Sequence, residues 1–168
     1  TATKANQRKL VNASKVLLDF QIEDAGFSGV GRVEVWITAD ESKTWQNLAE
    51  HAQSRSPLEV VLPGEGLFGI TLMVSNGRGG MAAPPQPGDA PEAWIEVDTT
   101  KPSAHITGVR SVVEEGKLVV VVDWDAKDKN LPAGAVELSY GATTRGPWLP
   151  IAKGLPGQGQ HRWTPPDT

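Results

Sequence analysis

Val33-Glu34-Val35-Trp36-Ile37 puts Val33, Val35 and Ile37 on one side of an extended chain and Glu34 and Trp36 on the other. That period of two belongs to a strand with one buried face. Upstream, Val16, Leu18, Phe20 and Ile22 alternate with Asp19, Gln21 and Glu23 in the same way. Downstream, Leu58-Glu59-Val60-Val61-Leu62 closes on Pro63-Gly64, and Leu67 to Val74 carries Ile70, Leu72 and Val74 on one face. Ala93-Trp94-Ile95-Glu96-Val97 follows a bend containing Pro84, Pro85, Pro87 and Pro91. Turn residues bound each run, and only Gln46 to Gln53 has the pattern of a brief turn of helix. The expected fold class is all-β.

Asp98-Thr99-Thr100-Lys101-Pro102 reads as a boundary, because a short polar stretch held extended before proline ends one sheet and begins another. Beyond it the pattern restarts with Ala104-His105-Ile106, an apolar run from Leu118 to Trp124, Val136-Glu137-Leu138-Ser139-Tyr140, and His161-Arg162-Trp163 before Pro165-Pro166. The two halves align as a repeat. With Phe20 placed over Trp124, Val33-Glu34-Val35 falls near Val136-Glu137-Leu138, and Trp45 and Trp148 follow at equal spacing. Leu48-Ala49 then matches Ile151-Ala152, and Leu62-Pro63 matches Thr164-Pro165. Landmarks in one order at nearly constant spacing indicate duplication. Residues 1–101 are expected to form a complete unit, and residues 102–168 a second unit lacking its last two strands. A half-sandwich exposes edges and core, which soluble proteins avoid. Disorder, removal, or supply by another chain in a strand-exchange oligomer each account for the missing strands.

The stretch from Phe68-Gly69-Ile70-Thr71-Leu72 to Asn76-Gly77-Arg78-Gly79 resembles the late-strand pattern of fibronectin type III and related immunoglobulin-like modules. Phe68 stands where that family usually has a tyrosine, so the tyrosine-corner hydrogen bond is not expected here. Val97 to Pro102 resembles the junction between consecutive immunoglobulin-like repeats of large exported bacterial proteins, and Asp125 to Trp148 resembles repeats in uncharacterised proteins of that kind. The resemblance implies two tandem immunoglobulin-like, fibronectin type III-like β-sandwich units, located extracellularly, at the cell surface or in the periplasm. Thr38-Ala39-Asp40-Glu41-Ser42-Lys43-Thr44-Trp45 is similar to the aspartate-box of sialidase-type β-propellers, with Ser42 in place of glycine. A propeller needs several copies. This single copy is expected to act as a hairpin device.

Hydrophobic residues make up 39% of the 168 and charged residues 21%, enough apolar material for a core and too much for disorder. No cysteine is present, which excludes disulfides, thiolate metal sites and a cysteine nucleophile. A net charge of −4 with scattered Lys and Arg offers no footprint for nucleic acid. No apolar run approaches the roughly 20 residues that insert across a membrane.

His51, His105 and His161 lie in no nucleophile–base constellation, and nothing marks Asp24, Asp40 or Glu65 as a glycosidase pair. Gly77-Arg78-Gly79-Gly80 reads as a turn and not a phosphate cradle, because no helix follows it. Asp123, Asp125, Asp128 and Asn130 match no calcium loop and read as outward strand positions followed by a turn. No catalytic, cofactor-binding or metal residue is therefore assigned. Of the six tryptophans, Trp45, Trp124, Trp148 and Trp163 occupy repeated landmarks and are expected inside. Trp36 and Trp94 are the candidate ligand or partner surface, with coverage by a loop or neighbouring unit as the simpler reading of both. The expected function is a non-catalytic structural or protein-interaction module, its partners a protein or neighbouring domains of the same polypeptide. The alternative is a carbohydrate-binding accessory module of an extracellular enzyme, with Trp36 as the platform for a glycan.

Overall fold

The computed structural model describes residues 8–21, 30–52, 55–76, 78, 80 and 83–166. All regular structure among them is β. With no helix described, none is long and apolar enough to cross a membrane. The chain divides into two compact units, Thr1–Thr99 and Thr100–Thr168.

Unit 1 contains β1 (Arg8–Val11), β2 (Lys15–Leu18), β3 (Val30–Thr38), β4 (Gln46–His51), β5 (Leu58–Val61), β6 (Gly66–Asn76) and β7 (Ala93–Val97). Five of these form one sheet in the order β1-β7-β6-β3-β4, and β2 pairs with β5 in another. Alternation decides which side chains meet. Val33, Val35 and Ile37 from β3, Phe68 and Ile70 from β6, and Ile95 and Val97 from β7 share one buried cluster with Val16, Leu58, Val60 and Leu62. The two sheets thus close on a common core, consistent with a β-sandwich.

The brief helical turn expected over Gln46 to Gln53 is instead β4; Gln53 lies outside the described residues. The edge of β3 carries backbone donors and acceptors that need partners, and a returning strand supplies them. A register shift between Val35↔Ala49 and Trp36↔Asn47 marks a bulge at Leu48, so consecutive residues Leu48 and Ala49 both pack against the core. The strand read over Val16 to Ile22 runs only from Lys15 to Leu18, and Ile22 is outside the described residues.

Unit 2 contains β8 (Ser103–Glu114), β9 (Lys117–Lys127), β10 (Val136–Tyr140), β11 (Leu149–Leu155) and β12 (Gln158–Trp163). These make a three-stranded sheet, β12-β9-β8, and the hairpin β10-β11. Glu115 and Gly116, both at positive φ (49° and 78°), form the tight turn between β8 and β9, as a two-residue hairpin that follows strand twist requires. The core is small: Val122, Trp124 and Leu138, flanked by Val120, Val136, Ile151 and Leu155.

Burial differs sharply between two isoleucines, 4% exposed at Ile70 and 63% at Ile106. Ile70→Ala is expected to destabilise unit 1 by about 2–5 kcal/mol, and Ile106→Ala to change unit 2 by less than about 0.5 kcal/mol. Urea unfolding with a probe in each unit checks this, and equal losses at the two sites would refute the packing described.

Candidate functional site

The outer face of the five-stranded sheet holds Trp36 and Trp94. Alternation turns Arg32, Glu34, Trp36 and Thr38 of β3 away from the core, and the register sets Thr38 beside Gly69 and Gly69 beside Trp94. The two tryptophans therefore share a face, with β6 between them. A Cβ on Gly69 would sit 2.7 Å from Thr38 Cγ2 and 2.8 Å from Pro91 Cγ. Only glycine lets the buried Pro91 rest on the sheet there. The Pro-rich segment is held down by Gly88 N donating to Ser42 O (2.8 Å) and Glu92 N donating to Ile70 O (2.9 Å). Both indoles are half-buried.

Two carboxylates on this face are nearly inaccessible, Glu34 and Glu96. Glu34 Oε2 accepts from Trp36 Nε1 at 3.0 Å and from Asn47 Nδ2 at 3.3 Å, and its other oxygen meets Arg32 at 2.9 Å. Glu96 pairs with Arg8 across the β1–β7 ladder. A buried carboxylate is costly unless its oxygens are satisfied. The Trp36 N–H is thus committed to a structural acceptor, and its ring edge is fixed against the sheet.

At one end of β3 the sequence resembling an aspartate-box folds into a turn knitted by side chains. Asp40 Oδ1 accepts from Thr38 Oγ1 and from Thr44 N (both 2.9 Å), and Oδ2 accepts from Thr44 Oγ1 at 2.7 Å. Ser42 N donates to Thr38 Oγ1 at 3.0 Å. Glu41 and Ser42 both take positive φ (59° and 69°), so the non-glycine residue at 42 is accommodated with strain that these bonds offset. Trp45 is half-buried. Hydrogen bonds from the Thr44 side chain, then from its backbone, hold the Asp40 carboxyl down at about 2.

In unit 2, Trp124 is buried and donates through Nε1 to Pro156 O at 2.9 Å. Trp163 is half-buried, its ring centroid 4.5 Å from that of Tyr140. Trp148, expected inside, is 59% exposed. Its ring lies over its own turn: a Cβ on Gly146 would be 3.1 Å from Trp148 Cδ1, and one on Gly141 3.3 Å from Cε3. Local packing on two glycines thus replaces insertion into the core. Leu149 beside it is also exposed.

The acidic residues of β9 and its following turn are spent on neighbours. Asp123 is held below its usual range by Gln160 (2.6 Å) and Arg110 (2.6 Å); Asp125 pairs with Lys127 at 2.7 Å and raises that ammonium; Asp128 Oδ1 accepts from Asn130 N at 2.7 Å. Among the described residues no group of three or more acidic or histidine side chains is arranged to hold a metal. His51, His105 and His161 fall on three different strands, β4, β8 and β12.

A cleft of about 800 Å³ opens at one end of unit 1, lined by Leu18, Phe20, Ile70, Leu72, Asp19 and Glu92 among others. Sequence reading did not find it, because its walls come from strands far apart in the chain. Desolvation raises the Glu92 carboxyl. Glu92 Oε2 accepts from Leu72 N at 3.4 Å, continuing the ladder along β6 where β7 has ended.

Because the folded-state value at Asp40 lies below the ordinary 3.8, its contribution is present above about pH 4 and lost as pH falls toward 2. Asp40→Asn is expected to lower the unfolding midpoint of unit 1 at neutral pH and to flatten its decline between pH 4 and 2. Urea titrations across that range check this. An unchanged acid limb would remove Asp40 from the account of the turn.

No protein-family model matches this chain, and no curated protein or solved structure is significantly similar to it.

Proposed function

We propose that the chain is a tandem of two immunoglobulin-like, fibronectin type III-like modules, serving as a non-catalytic structural or protein-interaction element of a larger exported bacterial protein. The observation that carries this reading is the strand order of unit 1. A five-stranded sheet β1-β7-β6-β3-β4 over the pair β2-β5 is the arrangement expected of such a module, with its first strand moved onto its last. The repeat supports the same reading for unit 2, whose pairs β9-β12 and β10-β11 correspond to β2-β5 and β3-β4.

The β1–β7 pairing supports the structural role within this reading. These strands are parallel, with Arg8↔Trp94 through Val11↔Val97 in register. The chain therefore enters and leaves unit 1 at opposite ends of the sheet, and tension along it loads the whole ladder at once. The Arg8–Glu96 ion pair spans the same ladder. Pulling the chain from its ends is expected to unfold unit 1 in one event; residues 8–97, at roughly 3.5 Å each, lengthen it by about 30 nm. A unit that extends without a resolved force peak would overturn the mechanical role. The non-catalytic reading falls if the purified chain hydrolyses a substrate and a single carboxylate substitution, Glu92→Gln for instance, abolishes it.

The exposed Trp148 ring favours a second reading, carbohydrate binding, with its platform moved from Trp36 to the β10–β11 tip. Glycan-array binding lost in Trp148→Ala and kept in Trp36→Ala would establish it. Silence across the array is the outcome expected of the first reading.

A further inference from the structure

Unit 2 leaves two features open that unit 1 closes. In unit 1, β3 is paired on both edges, by β4 and by β6; in unit 2, β10 is paired by β11 alone among the described residues. The second feature lies on β8 and β9. The register sets Ile106 beside Trp124, Val109 beside Val122 and Val113 beside Leu118, on the sheet face that carries the unit 2 core. Val122 and Trp124 are buried, yet Ile106 and Val109 are each 63% exposed, Val113 75% and Leu118 51%. This apolar row continues directly from the established packing between β9 and β10, and ends where a covering sheet would begin. Single exposed apolar residues are ordinary, but a row along one face beside an open strand edge marks a docking surface.

We infer that this surface receives an antiparallel β-hairpin equivalent to β6–β7, joined in the same polypeptide after β12. The inference rests on the duplicated-module reading, and unit 1 supplies the geometry. There Val74, Leu72 and Ile70 of β6 lie opposite Val33, Val35 and Ile37 of β3. By the repeat those β3 positions correspond to Val136, Leu138 and Tyr140, so the first strand of the hairpin runs antiparallel to β10 with apolar residues opposite these three. In unit 1 the chain passes from β5 to β6 through only four residues, Leu62-Pro63-Gly64-Glu65. The equivalent route from β12 runs through Thr164 and Pro165. The second strand of the hairpin then extends the covering sheet over Ile106 and Val109. Recognition is by backbone pairing plus alternate apolar side chains, the physics of strand addition.

Two proteins test this: the chain as it stands, and the chain with a second copy of residues 65–97 joined after Pro166. Amide exchange at Val136–Tyr140, dye binding to exposed apolar surface, and mass in solution are measured for both. The expected result is a monomer in each case. Exchange over Val136–Tyr140 is fast in the shorter chain and at least tenfold slower in the longer one, and dye binding falls. Ile106→Lys with Val109→Lys should abolish that gain in the longer chain, yet leave the thermal midpoint of unit 2 unchanged in the shorter one. The inference is overturned if Val136–Tyr140 exchanges as slowly as Val33–Ile37 in the shorter monomer, or if a dimer provides the protection, since a second copy is then the occupant. It is also overturned if the added hairpin changes nothing, or if the double lysine variant destabilises the shorter chain, since the face is then already covered. None of these outcomes bears on the force response of unit 1, so the two readings fail separately.

Discussion

The pairing of β3 with β6 is the constraint on which unit 1 depends. Seven described register positions join these strands, and both present alternate apolar side chains to the same core. A strand buried on one face and paired on both edges has no freedom to slip, because a shift of one residue would turn Val33, Val35 and Ile37 outward and bring Glu34 and Trp36 in. At the far end of the ladder Gly31 permits a close approach, where a Cβ would lie 2.6 Å from Asn76 O. Ser75 Oγ accepts from Arg32 N at 2.7 Å and so satisfies the backbone where the register breaks.

Once that ladder is set, the outer face follows. Glu34 cannot turn inward, so Arg32, Asn47 and Trp36 assemble around it; Glu96 on β7 finds Arg8 on β1. Between them Gly69 makes room for Pro91. The same requirement shapes both turns of β3 and β6. Asp40 stitches one with three side-chain acceptances, and Asn76 Oδ1 accepts from Arg78 N and Gly80 N in the other. Short polar side chains substitute for the ladder where the chain must reverse.

In unit 2, β10 is paired by β11 alone among the described residues, where β3 of unit 1 is paired on both edges. Among the described residues the buried cluster of unit 2 holds three side chains, where that of unit 1 holds eleven. On its outward face Val121 is fully buried all the same. The register flanks Val121 with Arg110 and Arg162, whose partners Asp123 and Glu114 lie on the same sheet. Long basic stems laid over a valine and tied at their ends cover it from solvent.

Period two in the sequence was enough to place β3, β5, β6, β7 and β10 and to assign the inner faces of β3 and β6, because alternation is a local consequence of extended backbone; β9 was legible only as an apolar run. The resemblance of Thr38 to Trp45 to an aspartate-box marked the Asp40 hairpin as well, since every group in that turn lies within seven residues. Tertiary structure decided the rest. β1 has only Leu10 and Val11 to mark it and exists by pairing with a strand 86 positions away, Arg8 with Trp94. The bulge at Leu48 broke the alternation of β4 and gave it a helical look. Trp148 turned out because two glycines in its own turn offered a nearer surface than the core. Which strands become neighbours, and which apolar rows stay uncovered, depends on partners distant in the chain, and a local pattern carries no information about them.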